Sequence, residues 1–271
     1  MTRFAQFAAV ALSLAAPALA SCDYGTHLNP RSESVPISTF GYTGLTGPLN
    51  WFGLNETANK LCATGKNQSP INLDSSITTA HGSSVTFKVD AYPHGAEFEN
   101  LGTTVEVPVN GSLVADGKSY KLAQFHFHTP SEHRVDLEYF PMEAHFVFSA
   151  ADKSTAVVAF LINLGLIADP LLASVFASVG MIATPGSTTS TGPLVFGPLE
   201  DHLHSNTIFK YSGSLTTPPC SEGVSWYIST KPLTIDEITY QRVRDVVKFN
   251  SRYTQNSLGE INLLQNAANE L

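Results

Sequence analysis

Charge is scarce in this chain, and positive charge scarcest. Asp, Glu, Lys and Arg make up 14% of its 271 residues, with 15 basic residues against 23 acidic ones. At a formal net charge of −8 and without a basic run, it offers no surface for a nucleic-acid backbone. Long apolar runs are missing too. The longest, Phe4 to Ala16, falls short of the roughly 18 residues that a membrane span requires. No internal repeat and no linker divides the sequence. Its length suits one large all-β or mixed domain, and a hydrophobic content of 43% suffices for a sizeable core. Cysteine is limited to three residues, Cys22, Cys62 and Cys220. In an exported chain that number leaves one without an internal partner.

Export is what the N-terminus indicates. Arg3 supplies a positive start, Phe4 to Ala16 an Ala-rich apolar stretch, and Ala18-Leu19-Ala20 an A-x-A cleavage site, so residues 1–20 read as a signal peptide. Leu19-Ala20-Ser21-Cys22 also fits a bacterial lipobox, which would make Cys22 a lipidated N-terminus on the cell envelope. Ordinary secretion is the expectation, because N-x-S/T sequons follow. Asn55 and Asn110 stand in polar, turn-like stretches and are the candidate glycosylation sites. Asn67 is a poorer acceptor, since Pro70 follows its sequon.

Strand signals dominate the remainder. Residues 85–89, 104–107 and 155–164 are rich in β-branched and aromatic residues. Asn110-Gly111 and Asp116-Gly117 mark turns, and Ser187 to Gly192 reads as a polar loop. Helices are few. Asp169-Pro170 opens one, with Leu171, Leu172, Val175, Phe176 and Val179 at helical spacing. Thr234-Ile235-Asp236-Glu237 reads as a capping box opening a second.

The chemistry concentrates in Gln124-Phe125-His126-Phe127-His128 and Glu143-Ala144-His145. Side chains on a strand alternate between faces, so Gln124, His126 and His128 share one face, opposite Ala123, Phe125 and Phe127. On the next segment Glu143, His145 and Val147 share a face. If the two strands are neighbours, three imidazoles meet, with Gln124 and Glu143 behind them. A lone H-x-H is weak evidence, but burying three imidazoles with no partner costs several kcal/mol. Three neutral histidines around one open position are the arrangement of a catalytic zinc, with Gln124 and Glu143 holding the N–H groups that face away from it.

The runs QFHFHTPSEH, PMEAHFVF and GSLTTPPCSEGVSWYI resemble those of the α-class carbonic anhydrases, most closely secreted microbial members. The resemblance extends from Phe40-Gly41-Tyr42 through Gly65-Lys66-Asn67-Gln68-Ser69-Pro70 to Asn250-Ser251-Arg252. It implies a domain over residues 40–271 preceded by an extension at 21–39. The implied fold is mostly β: a large, twisted, mainly antiparallel central sheet with short peripheral helices. The implied activity is zinc-dependent, reversible hydration of CO2 to bicarbonate. By the same resemblance, Thr216 accepts a hydrogen bond from the metal-activated water and donates its own to Glu132. Thr217, Leu215, Val147, Val157 and Trp226 form the substrate wall, and Tyr42 and Asn100 order water in the cavity. Cys62 pairs with Cys220, leaving Cys22 free, lipidated or bonded to a second chain as a homodimer. Aromatic sulfonamides bind the metal as anions.

Two alternatives bear on the same residues. His126-x-His128 followed by Glu132 partly matches the first metal motif of the cupins, but the second, a G-x5-P-x-G run with a later histidine, is missing. Non-catalytic members of the carbonic anhydrase fold lose zinc histidines, whereas this chain keeps all three. One family feature has gone. Fast members carry a proton-shuttling histidine in an Asn-Gly-His phrase. Here the sequence is Asn100-Leu101-Gly102-Thr103, so Thr103 holds that position, and His94 falls in the turn before it.

Overall fold

Alternation along the apolar segments produces one sheet with two unlike faces. The structure, a computed structural model, describes residues 35–270; the signal peptide, the lipobox with Cys22 and all but the end of the N-terminal extension lie outside that range. In chain order the strands are β1 (Asn72–Leu73), β2 (Thr79–His81), β3 (Thr86–Val89), β4 (Glu97–Asn100), β5 (Val105–Pro108), β6 (Gly111–Ala115) and β7 (Lys118–His128). They continue with β8 (Arg134–Val135), β9 (Glu138–Tyr139), β10 (Met142–Ser149), β11 (Thr155–Gly165), β12 (Thr188–Ser190), β13 (Thr207–Ser214) and β14 (Glu222–Asp236). The main sheet runs β12-β4-β5-β7-β10-β11-β14-β13-β2, with β6 and β3 continuing from β7. Its pairs are antiparallel except β11 with β14. The helices are short: α1 (Trp51–Leu54), α2 (Lys60–Thr64), α3 (Pro170–Phe176), α4 (Gly197–Ser205), α5 (Glu237–Val247) and α6 (Leu263–Asn269). The large, mainly antiparallel sheet with peripheral helices is as expected.

One face carries the main core. Phe125, Phe127, Phe146, Phe148 and Phe160 are buried in it, with Phe125 stacked on Phe146 at 4.8 Å between ring centroids. Each buried phenyl contributes about 1.5–3 kcal/mol. The opposite face carries Val147, Val157, Ala159, Leu161, Leu215 and Trp226 in a second apolar cluster. Strand β7 keeps strict alternation only from Gln124 onward. Opposite it, β10 passes from Val147↔Gln124 to Phe148↔Leu122, so Ala123 is a bulge. Tyr120 and Leu122 therefore join the same core as Phe125 and Phe127, which unbroken alternation would forbid.

Several local expectations hold and some do not. Asp116 (φ 51°) and Gly117 (φ 74°) form the tight turn between β6 and β7, both left-handed as a two-residue hairpin requires. Asp169 caps α3, its carboxylate accepting from the Leu171 N–H at 2.9 Å. That helix stops at Phe176, and Val179 opens a separate 3-10 turn. Thr234 does not cap α5. It is still in β14, paired with Asn163 in parallel register, and the cap is Asp236, which accepts from Thr239 N–H at 3.0 Å. Within the expected loop 187–192, Thr188–Ser190 is an edge strand on β4. Asn110 is exposed at the start of β6, whereas Asn55 is half-buried, with Oδ1 accepting from Ala58 N–H at 3.0 Å. Asn67 is exposed, and the inward packing begins one residue later, at Gln68.

Cys62 and Cys220 are disulfide-bonded across a separation of 158 residues. The bond ties α2 to the segment following Thr216 and Thr217. Closing so long a loop constrains the unfolded chain, so reduction is expected to lower the unfolding free energy by roughly 2–4 kcal/mol. Urea unfolding with and without reductant measures this, and an unchanged midpoint would show that the crosslink adds no stability.

Candidate metal centre

The pairing of β7 with β10 sets His126 directly opposite His145. His128 lies two residues along the same face. Ring centroids are 5.1 Å apart for His126 and His128, 5.3 Å for His126 and His145, and 4.6 Å for His128 and His145. One ring nitrogen from each lies within 4.8 Å of the other two, and all three residues are buried.

Each ring has one nitrogen fixed by an acceptor. His126 Nδ1 donates to Gln124 Oε1 at 2.9 Å, and His145 Nε2 to Glu143 Oε1 at 2.8 Å. His128 Nδ1 donates to the backbone carbonyl of Asn250 at 2.8 Å. The lone pairs are thereby assigned to Nε2 of His126, Nε2 of His128 and Nδ1 of His145. His128 Nε2 and His145 Nδ1 are buried without a hydrogen-bond partner. Burial pushes all three imidazoles down from the usual histidine range, His128 to about 4, so each is neutral at pH 7. Three neutral imidazoles with convergent lone pairs, two of them without a hydrogen-bond partner, fit a divalent cation of borderline softness.

Sequence reasoning found Gln124 and Glu143 but missed the third acceptor. Asn250 carries no chemistry that would flag it, and its contribution comes from the main chain. Its side chain braces the same strand, donating to the carbonyls of Phe127 at 2.8 Å and Thr103 at 2.9 Å. Sequence reasoning also missed His133, whose Nδ1 donates to Glu143 Oε1 at 2.7 Å and whose Nε2 lies 2.7 Å from the Tyr211 hydroxyl. The nearness of His133 to the H-x-H pair was the available signal.

Around the histidines, Glu132 is fully buried and accepts from the Arg252 N–H at 2.9 Å and from the Thr216 hydroxyl. Burial pushes its carboxyl up to about 7, against the pull of His145 and these two donors. Its Oε2 is 3.5 Å from His128 Nε2, but a neutral His128 makes that contact no ion pair. The hydroxyl of Thr217 is buried without a partner. Val147, Val157 and Trp226 are successive partners across β10, β11 and β14, and Leu215 packs with them. Tyr42 packs edge-on against Phe40 and Trp51. The Asn100 amide donates to the Ile182 carbonyl at 2.7 Å and accepts from Gly102 N–H at 2.8 Å in the β4–β5 turn. Thr103 in that turn is buried, its hydroxyl 2.7 Å from that of Ser38, and His94 is exposed in the turn before β4.

Comparison with known proteins gives this arrangement its context. Residues 46–266 match the family model described as eukaryotic-type carbonic anhydrase. A carbonic anhydrase of Neisseria gonorrhoeae is 36% identical over 220 residues, 80% of each chain. The fungal α-carbonic anhydrase of Aspergillus oryzae superposes with a TM-score of 0.83 at 51% identity, over 86% of this chain and 99% of that one. The α-carbonic anhydrase of Thermovibrio ammonificans, solved with the inhibitor sulfanilamide, superposes with a TM-score of 0.70 at 33% identity, over 82% of this chain and 97% of that one. The chain belongs to the α-carbonic anhydrase family, the enzymes that hydrate CO2.

Proposed function

We propose that the reaction runs at a zinc ion held by His126 Nε2, His128 Nε2 and His145 Nδ1, as reversible hydration of CO2 to bicarbonate and a proton. The observation that carries this reading is the set of three buried, neutral imidazoles, each with its N–H tied to an acceptor and its lone pair turned to one space. A three-histidine donor set suits zinc. When bound, such a zinc acidifies its water to a pKa of about 7, carbonic anhydrase being the reference case for this effect.

The chain's own residues then orient the reactants. When Glu132 is ionised, Thr216 gives its proton to it, and the Thr216 oxygen can then only accept from a group in the site. That selects the orientation of a neighbouring O–H donor and aims its lone pair away from Thr216. Glu132 holds Thr216 in this sense because Arg252 N–H fixes the carboxylate. Val147, Val157, Leu215 and Trp226 present an apolar wall, which suits a substrate with no net dipole. Thr217 offers a buried hydroxyl to the product. Thr103 cannot relay a proton by ionising, so proton release limits turnover. Gln124 and Glu143 hold the ligand rings. The three retained histidines argue against a non-catalytic role.

Metal analysis and a CO2 hydration assay on the purified mature chain test the reading. Stoichiometric zinc with activity, inhibited by an aromatic sulfonamide competing with substrate, supports it. A metal-free active protein overturns it. Dialysis against a chelator should abolish activity and lower the melting temperature. Zinc at a hundred times its dissociation constant should restore about 2.7 kcal/mol of stability, read by calorimetry.

We also infer export, with cleavage after Ala20, from the leader pattern and from the Cys62–Cys220 disulfide, a bond that persists in oxidising compartments. Asn55 and Asn110 would be glycosylated in a host that does so. Among the described residues no helix is long and apolar enough to cross a membrane. A homodimer through Cys22 would show on non-reducing gels and vanish in Cys22→Ser.

A further inference from the structure

Behind the proposed ligand His145 and its partner Glu143 lies a chain of polar groups, His133, Tyr211 and Ser69, to which the reaction assigns no role. Glu143 receives four donors: His145 Nε2 and His133 Nδ1 on Oε1, at 2.8 and 2.7 Å, and the main-chain N–H groups of Glu132 and His133 on Oε2, at 2.8 and 2.9 Å. His133 Nε2 lies 2.7 Å from the Tyr211 hydroxyl, and that hydroxyl lies 2.7 Å from Ser69 Oγ. Ser69 Oγ accepts from Ser214 N–H at 3.0 Å, and Ser69 N–H donates to Ser214 Oγ at 2.8 Å. Ser214 stands two residues before Thr216, whose hydroxyl closes the circuit onto Glu132.

Every group that meets Glu143 is an N–H, so both of its oxygens act as acceptors. His133 therefore donates from Nδ1, and its Nε2 faces the Tyr211 hydroxyl. Glu143, His133 and Ser69 are buried and Tyr211 is half-buried, so losing one partner leaves a buried polar group short of a hydrogen bond. With Nε2 committed to Glu143, His145 keeps Nδ1 free for a ligand.

We propose that Tyr211, with Ser69 behind it, is a positioning residue for the metal. It holds the His133 ring in the orientation that keeps Glu143 aligned on His145, and it couples this ligand to the segment carrying Thr216. The inference rests on the zinc reading but concerns different residues. A ligand's direct partner typically contributes ten- to a hundredfold to metal affinity, and Tyr211 acts two hydrogen bonds further out.

The test is Tyr211→Phe in the full-length mature protein. One hydroxyl is lost and the ring is kept. Zinc transfer to a chromogenic chelator should quicken by up to about tenfold, the low end for a ligand's direct partner. With cobalt in place of zinc, the pH midpoint of the visible spectrum should move, because His145 is less firmly held. Tyr227→Phe is the control: it removes a hydroxyl bonded to Asp116 at 2.8 Å from a ring packed in the main core, and neither readout should change. If Tyr211→Phe does not accumulate as folded protein, Ser69→Ala keeps the phenol and should shift both readouts in the same direction by a smaller factor. Wild-type metal release and an unmoved cobalt midpoint in a folded variant overturn the proposal. A wild-type chain that takes up no metal would instead overturn the zinc reading itself, so the two failures are distinguishable.

Discussion

His145→Ala should abolish CO2 hydration and lower zinc affinity by more than about a hundredfold, since loss of a ligand exceeds the ten- to hundredfold typical of losing a ligand's supporting partner. The change removes the only donor that β10 contributes to the cluster. His126 and His128, five ångströms apart on one strand, are left with two sites to fill from solvent. It also leaves Glu143 Oε1 with His133 as its single side-chain donor, while the main-chain donors to Oε2 remain. The sheet should survive, because the ladder between β7 and β10 does not use the imidazole and the phenyl groups behind it are untouched. Inductively coupled plasma analysis, near-UV circular dichroism and stopped-flow hydration separate the effects. Full activity with one zinc per chain would show that His145 is not a ligand. A folded, metal-free, inactive protein is the expected result.

The legibility of this site in the sequence follows from where its information resides. His126, His128, His145, Gln124 and Glu143 were readable because period-two alternation converts sequence spacing into a shared face. The same rule misplaced Ala123, since a bulge shifts the phase and no residue there signals one. The fold was readable largely through resemblance: the strand segments at 85–89, 104–107 and 155–164 are evident in composition, but their order in the sheet is not. Residues acting through main-chain atoms, such as Asn250 on His128, leave no trace in side-chain chemistry. Asn100 shows another gap: its bonds to the Ile182 carbonyl and the Gly102 N–H, which shape the β4–β5 turn, could not be read from its family position. The helix cap at Asp236 was missed by two residues because β14 extends beyond the point where composition suggests a turn, held in parallel register by β11.

Thr103→His should raise turnover in dilute, non-imidazole buffer by on the order of tenfold or more, below the roughly 10²–10⁴-fold of a fully positioned general acid–base group. On the proposed reading the hydration step needs only the three histidines with their zinc, Thr216 and the apolar wall, so kcat/KM for CO2 should stay near the wild-type value. Turnover requires in addition that a proton reach bulk water, and no ionising group stands at position 103. The His94 side chain is exposed in a separate turn. Backbone placement favours the substitution. The Thr103 carbonyl is held by the Asn250 amide, and the Asn250 carbonyl holds His128, so the altered side chain starts from a point braced to the metal centre. Its imidazole must displace the Ser38 hydroxyl that now meets Thr103 at 2.7 Å. The wild-type enzyme makes the complementary measurement. Increasing imidazole buffer should lift its turnover markedly and leave kcat/KM unchanged, and the Thr103→His enzyme should respond far less. A wild type that is already fast in dilute buffer and indifferent to imidazole would mean that another group in the chain carries the proton, and the assignment of a missing shuttle would be wrong.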